Sequence, residues 1–174
     1  MTAVTLSRLP GYRGAELTLD NPDVLDLLMA LPVGMPVPYQ NLTVWQQGLV
    51  RRAPAGALDV TVPRSLAGDC TVTRIAVRPC RVAIATVRSA TALCSASRFA
   101  PFAARQVIVR RRPKLPETLI EYGFWGVGLL LDRGDGELDT LFAPTPWRPK
   151  RHTAAGWRFA ETAYAAHLAE EPPR

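Results

Sequence analysis

The chain reads as an α+β domain: a mainly antiparallel sheet of about five to seven strands, with an N-terminal helix and a C-terminal helix packed on it. Three observations predict this. Capped helical stripes stand near both ends, at residues 21–31 and 153–169. Several short runs with strand-like alternation fill the stretch between them. Two of those runs are joined by Asp132-Arg133-Gly134-Asp135-Gly136, a strong hairpin turn. No period of 20–50 residues repeats, which excludes a solenoid.

The elements follow in order. Gly14–Asp20 alternates, with Ala15, Leu17 and Leu19 facing one way, and predicts a half-buried strand. Asn21-Pro22-Asp23 opens a helix: Asn caps free N–H groups, Pro suits the first helical position, and Asp complements the positive helix end. Val24, Leu27, Leu28 and Leu31 form its apolar stripe, and Pro32 ends it. Three prolines in 32–39 predict an irregular loop. Leu42, Trp45 and Leu49 fit a short helical face. Ala57–Val62 reads as a strand, as does Cys70–Arg78, where Arg74 and Arg78 would share a face.

Val82–Arg88 is a nearly continuous apolar strand, and Thr91–Phe99 a short helix. Gln106–Arg112 is a strand ending in three arginines, with Arg110 and Arg112 on one face. Pro116 to Tyr122 is helical. Phe124–Leu131 is a buried strand in which Gly126 and Gly128 mark close packing or a bulge, and Glu137–Phe142 returns alongside it. Residues 143–152 form a proline-broken basic loop. Thr153 caps the last helix, which docks Trp157, Phe159, Ala160, Ala163, Tyr164, His167 and Leu168 and turns Arg158, Glu161 and Thr162 to water. Residues 170–174 are a solvated tail. One globular domain, 1–174, is expected.

Charge is unevenly placed. The net charge of +6 comprises −2 over residues 1–50, +11 over 51–114 and −3 over 115–174. Nineteen of the 21 basic residues are Arg, the bias of a GC-rich, bacterial-type genome, but codon bias does not dictate where charges lie. A basic segment between mildly acidic ones suggests an anionic partner. The N-terminus lacks a basic stretch followed by an apolar core, and no apolar run approaches the ~18 residues of a membrane span, so a cytoplasmic location is expected. Cys70, Cys80 and Cys94 are odd in number and contain no C-x-x-C, which disfavours a disulfide framework or a cysteine zinc site.

Guanidinium is a planar, permanently charged fork that suits phosphate oxygens. Arg74, Arg78, Arg88, Arg110, Arg111 and Arg112 are therefore candidates for an arginine-rich sheet face. Arg105 stands at a strand end beside them. Trp147, Arg148, Lys150 and Arg151 add a loop in which basic groups hold a backbone while a ring stacks on a base. Glu121, Tyr122, Asp132, Asp135, Glu137 and Asp139 are candidates for a metal-dependent nuclease or other hydrolase, although acids beside a hairpin tip are ordinary turn chemistry. There is no P-loop, no G-x-G-x-x-G and no H-E-x-x-H, and no metal or cofactor is expected. The expected function is a non-catalytic nucleic-acid-binding accessory protein, DNA being the favoured ligand. The alternatives are an adaptor that docks an acidic protein partner and the Glu121-centred hydrolase.

Overall fold

A computed structural model describes residues 2–8, 17, 19–62, 70–88, 92–114 and 116–170, and the statements below concern those residues. They form eight strands and five α-helices, and residue contacts sort the chain into two compact units. One comprises Met1–Ser7 with Val82–Lys150, the other Arg8–Arg81 with Arg151–Arg174.

The second unit holds both terminal helices. Helix α1 (Pro22–Ala30) starts as its residues dictate: Asn21 Oδ1 accepts from the Asp23 and Val24 amides, with Pro22 in the first turn. It buries Val24, Leu25, Leu27 and Leu28. Helix α5 (Ala154–Glu170) is capped by Thr153, whose hydroxyl accepts from the Gly156 amide at 3.1 Å. It packs on α1 and places Ala154 and Trp157 in a core shared with Leu19, Leu49 and Val72. Glu161 departs from expectation. It is buried rather than water-facing, and its Oε1 accepts from Trp157 Nε1 at 2.8 Å. Helical i, i+4 spacing brings the two together, and the indole N–H needs an acceptor once buried. Helix α2 (Val44–Val50) carries a full capping box between Thr43 and Gln46, and buries Leu49 while leaving Trp45 exposed.

The same unit contains a small antiparallel sheet in the order β2-β4-β3, from β2 (Pro36–Pro38), β3 (Leu58–Thr61) and β4 (Thr71–Arg74). Residues 36–38 were expected in a loop. Two prolines fit there because β2 is an edge strand, where a missing N–H breaks no ladder. The strand expected over Cys70–Arg78 ends at Arg74, so Arg74 and Arg78 do not share a strand face. The expected strand at 14–20 lies largely outside the described residues, as does the tail beyond Glu170, though Leu19 is buried in this core.

The first unit carries a five-stranded sheet in the order β1-β5-β6-β7-β8. Its strands are β1 (Thr2–Arg8), β5 (Cys80–Val87), β6 (Ala104–Val109), β7 (Val127–Asp132) and β8 (Leu138–Phe142). The sheet is mixed, not mainly antiparallel: β5, β6 and β7 run parallel, and β8 pairs antiparallel with β7 through the expected hairpin. The cause lies in the connections. Residues 88–103 contain α3 (Ala92–Ser97), and residues 110–126 contain α4 (Pro116–Phe124). Each is a crossover long enough to return the chain to the same sheet end, which makes neighbouring strands parallel. There is a second departure: α1 and α5 belong to the unit with the small sheet, not to this one. Here Val87, Ala96, Val107, Tyr122, Val127 and Leu129 form the core, with Ala96 and Tyr122 supplied by the crossover helices.

The cysteines separate by environment. Cys80 is buried, its Sγ lies 3.4 Å from the Ala160 carbonyl, and burial, followed by the nearby Glu161, pushes its pKa up to about 11. Cys94 is exposed on α3. At pH 8 a thiol-directed alkylating reagent is therefore expected to modify Cys94 in the native protein and spare Cys80 until denaturant is added. Peptide mapping checks this, and labelling of Cys80 at the rate of Cys94 would contradict it.

Candidate functional site

The parallel strands gather basic residues at their carboxyl ends. Arg88 follows β5, Arg110, Arg111 and Arg112 follow β6, and Arg133 follows β7. The last three residues of the expected strand 106–112 thus lie past the end of β6 and not on a sheet face. This alters the geometry from a band across a sheet to a cluster in the loops at one end of it. Such loops are where α/β sheets place ligand-binding groups.

Within the cluster Arg88 reaches Asp132 at 2.6 Å, spanning the end of β6 from β5 to β7. The bond from the Gly134 amide, then that from Arg88, hold the Asp132 carboxyl below its ordinary range, and Arg110 adds to the effect. Arg133 pairs with Asp139 at 2.6 Å. Arg110, Arg111 and Arg112 are exposed, and among the described residues no carboxylate pairs with them. Within this cluster they are cations available to an anionic ligand.

Three of the acidic candidates are occupied. Asp132 accepts from Arg88 and the Gly134 amide, Asp135 from the Glu137 amide, and Asp139 from Arg133. These are turn and ion-pair roles. Among the described residues no three His, Cys, Asp or Glu side chains group as metal ligands. Glu121 is exposed on α4 while Tyr122 is buried, its pKa raised by burial first and by Glu121 second.

Arg74 and Arg78 lie in the other unit. Arg74 is bound into the fold: Nη1 donates to the Leu28 carbonyl at 2.7 Å and the Leu31 carbonyl at 3.2 Å, and Nε donates to the Ala76 carbonyl at 2.9 Å. The guanidinium also sits 4.9 Å from the Trp157 ring centroid. It caps the carboxyl end of α1, and few of its donors remain for a ligand. Burial, then the charge of Arg78, lowers its pKa from the ordinary arginine value. Arg78 Nη2 lies 3.4 Å from His152 Nε2, a hydrogen bond when the ring is neutral with its proton on Nδ1. Arg151 is exposed beside His152 in that same unit, whereas Trp147, Arg148 and Lys150 belong to the other.

The opposite end of the large sheet holds a cleft of about 280 Å³. Its walls are Arg105 at the start of β6, Phe124 and Trp125 before β7, and Thr145, Pro146 and Trp147 of the proline-broken loop. Phe124 and Trp125 were expected inside a buried strand. Instead they close α4, at 79% and 51% exposure, with rings edge-to-face and centroids 5.3 Å apart. The signal for this was Gly126, whose φ of +64° ends the helix after the two aromatics. Arg105 Nη2 donates to the Trp125 carbonyl at 2.6 Å, which ties the guanidinium to the aromatic corner.

No helix among the described residues is long and apolar enough to cross a membrane. Comparison of the chain with protein-family models, curated proteins and solved structures found no match.

Proposed function

We propose that the chain is a non-catalytic nucleic-acid-binding accessory protein that takes phosphates through the arginines at the carboxyl ends of its parallel strands. The observation that carries this reading is the trio Arg110, Arg111 and Arg112: exposed, consecutive, next to Arg88, and without carboxylate partners among the described residues. Their placement on loops of a strand-anchored edge suits backbone contacts, which supply affinity without sequence readout. Arg74 has no part in it, because its guanidinium is spent on the α1 carboxyl end.

Binding is expected to single- or double-stranded DNA at low salt, with affinity falling steeply as salt rises. Replacing Arg110, Arg111 and Arg112 together by Ala is expected to reduce the slope of log affinity against log salt by ~2–3, since each phosphate contact contributes ~0.7 to 0.9. Fluorescence anisotropy titrations measure both quantities. No binding to DNA or RNA at low salt would sink the proposal. If the triple variant instead leaves nucleic-acid affinity unchanged and breaks a copurifying complex, the surface docks an acidic protein.

A further inference from the structure

We propose that the cleft at the amino ends of β6 and β7 receives one unstacked nucleobase of a single strand, with Trp125 as the stacking platform. This rests on the nucleic-acid reading above and extends it, because it assigns the strand state of the ligand. Four features support it.

The cleft has the size for one ring system. At about 280 Å³ it lies near the lower end of the ~300–1,000 Å³ of sites for drug-sized ligands, a size that suits a single ring system. Its aromatic walls are open to solvent: the edge-to-face geometry of Phe124 and Trp125 prevents them from covering one another's faces fully. Exposed aromatic faces beside a cation are the means by which proteins hold single strands.

Arg105 supplies that cation at a fixed position, and among the described residues no carboxylate pairs with it. Arg148 and Lys150, both exposed, follow Trp147 along the same loop, while among the described residues no acidic side chain lines the cleft. A ligand with a π face and a negative backbone complements this lining, and a cationic ligand does not. Finally, the wall is preformed. The Thr145 amide donates to the Gly126 carbonyl at 3.2 Å, and the missing side chain of Gly128 lets Pro144 lie against β7. A base would enter without ordering the loop first, which removes one cost of binding.

The test compares two probes of equal length and charge, a deoxythymidine strand of about twelve nucleotides and an abasic strand. Both retain phosphates, and only the first has bases. The wild-type chain is expected to prefer the deoxythymidine strand by about fivefold or more, the effect of one stacked base. Trp125→Ala is expected to abolish that preference and leave affinity for the abasic strand unchanged. The Trp125 side chain is half-exposed and its carbonyl stays available to Arg105, so the variant is expected to fold. Phe124→Ala, at a still more exposed position, is expected to reduce the preference as well. Equal affinity of the wild-type chain for both strands overturns the inference and leaves the phosphate reading standing. A preference that survives both substitutions overturns it too. Binding of neither probe overturns both readings. Displacement of the deoxythymidine strand by decaproline assigns the cleft to a peptide and overturns the base.

Discussion

An Arg74→Ala chain is expected to be destabilised by about 3 kcal/mol, read as a lower midpoint in urea and thermal melts followed by circular dichroism. The magnitude follows from what the guanidinium does. It donates to Leu28, Leu31 and Ala76 carbonyls, two of which belong to the carboxyl end of α1. Hydrogen bonds from a charged group contribute ~1.5–3 kcal/mol, and the Trp157 ring adds ~0.5–2 kcal/mol as a cation–π contact. These terms are not additive, and water replaces part of what is lost, which sets the expected value well below their sum. Arg74→Lys is expected to recover less than half, because an ammonium cannot reach three carbonyls along a planar fork. The residual nucleic-acid affinity of the folded fraction is expected to match wild type. A destabilisation under ~1 kcal/mol, or a drop in affinity without one, would show that Arg74 faces a ligand instead.

Gly128→Ala is expected to cost ~1–3 kcal/mol, the range for forcing extra volume into a packed site that cannot yield easily. A Cβ at this position would stand 2.8 Å from both Cδ and N of Pro144, and 3.1 Å from Gln106 Cβ. Pro144 offers backbone and a rigid ring, and the adjacent Thr145 amide is bound to Gly126. Either the loop lifts off β7 or the strand shifts against β6. Lifting the loop moves Trp147, so the preference for a base-bearing strand is expected to fall along with stability. Gly123→Ala is the control. Its added Cβ meets nothing within 4 Å, and within α4 it is expected to be neutral or stabilising by up to ~1 kcal/mol. A Gly128→Ala chain as stable as Gly123→Ala would mean that the loop yields without cost.

Most of the elements were legible in the sequence because their signals are local. Asn21-Pro22-Asp23, Thr153 and the Asp132–Gly136 turn each act on backbone groups within a few residues, and each marks the expected boundary. Boundaries were missed where one residue type serves two structures. Phe124 and Trp125 suit a strand as well as a helix end, and only the positive φ of Gly126 separates the two. The parallel pairing was missed although strand, helix, strand, helix, strand was read correctly from 82 to 131. Helices α3 and α4 are short, and short helices do not announce crossovers.

The candidate site was legible in composition and not in geometry. By itself the sequence determined the excess of arginine in the middle third, the capped helices and the hairpin, because these depend on residues adjacent in the chain. Only the tertiary structure decided which arginines are free. Arg74 and the arginines after β6 look alike as letters, yet one meets three carbonyls, two of them more than forty residues away, while the others meet no carboxylate among the described residues. The physical reason is that a guanidinium's availability is set by the groups within hydrogen-bond reach of it, and sequence distance does not reveal which groups those are.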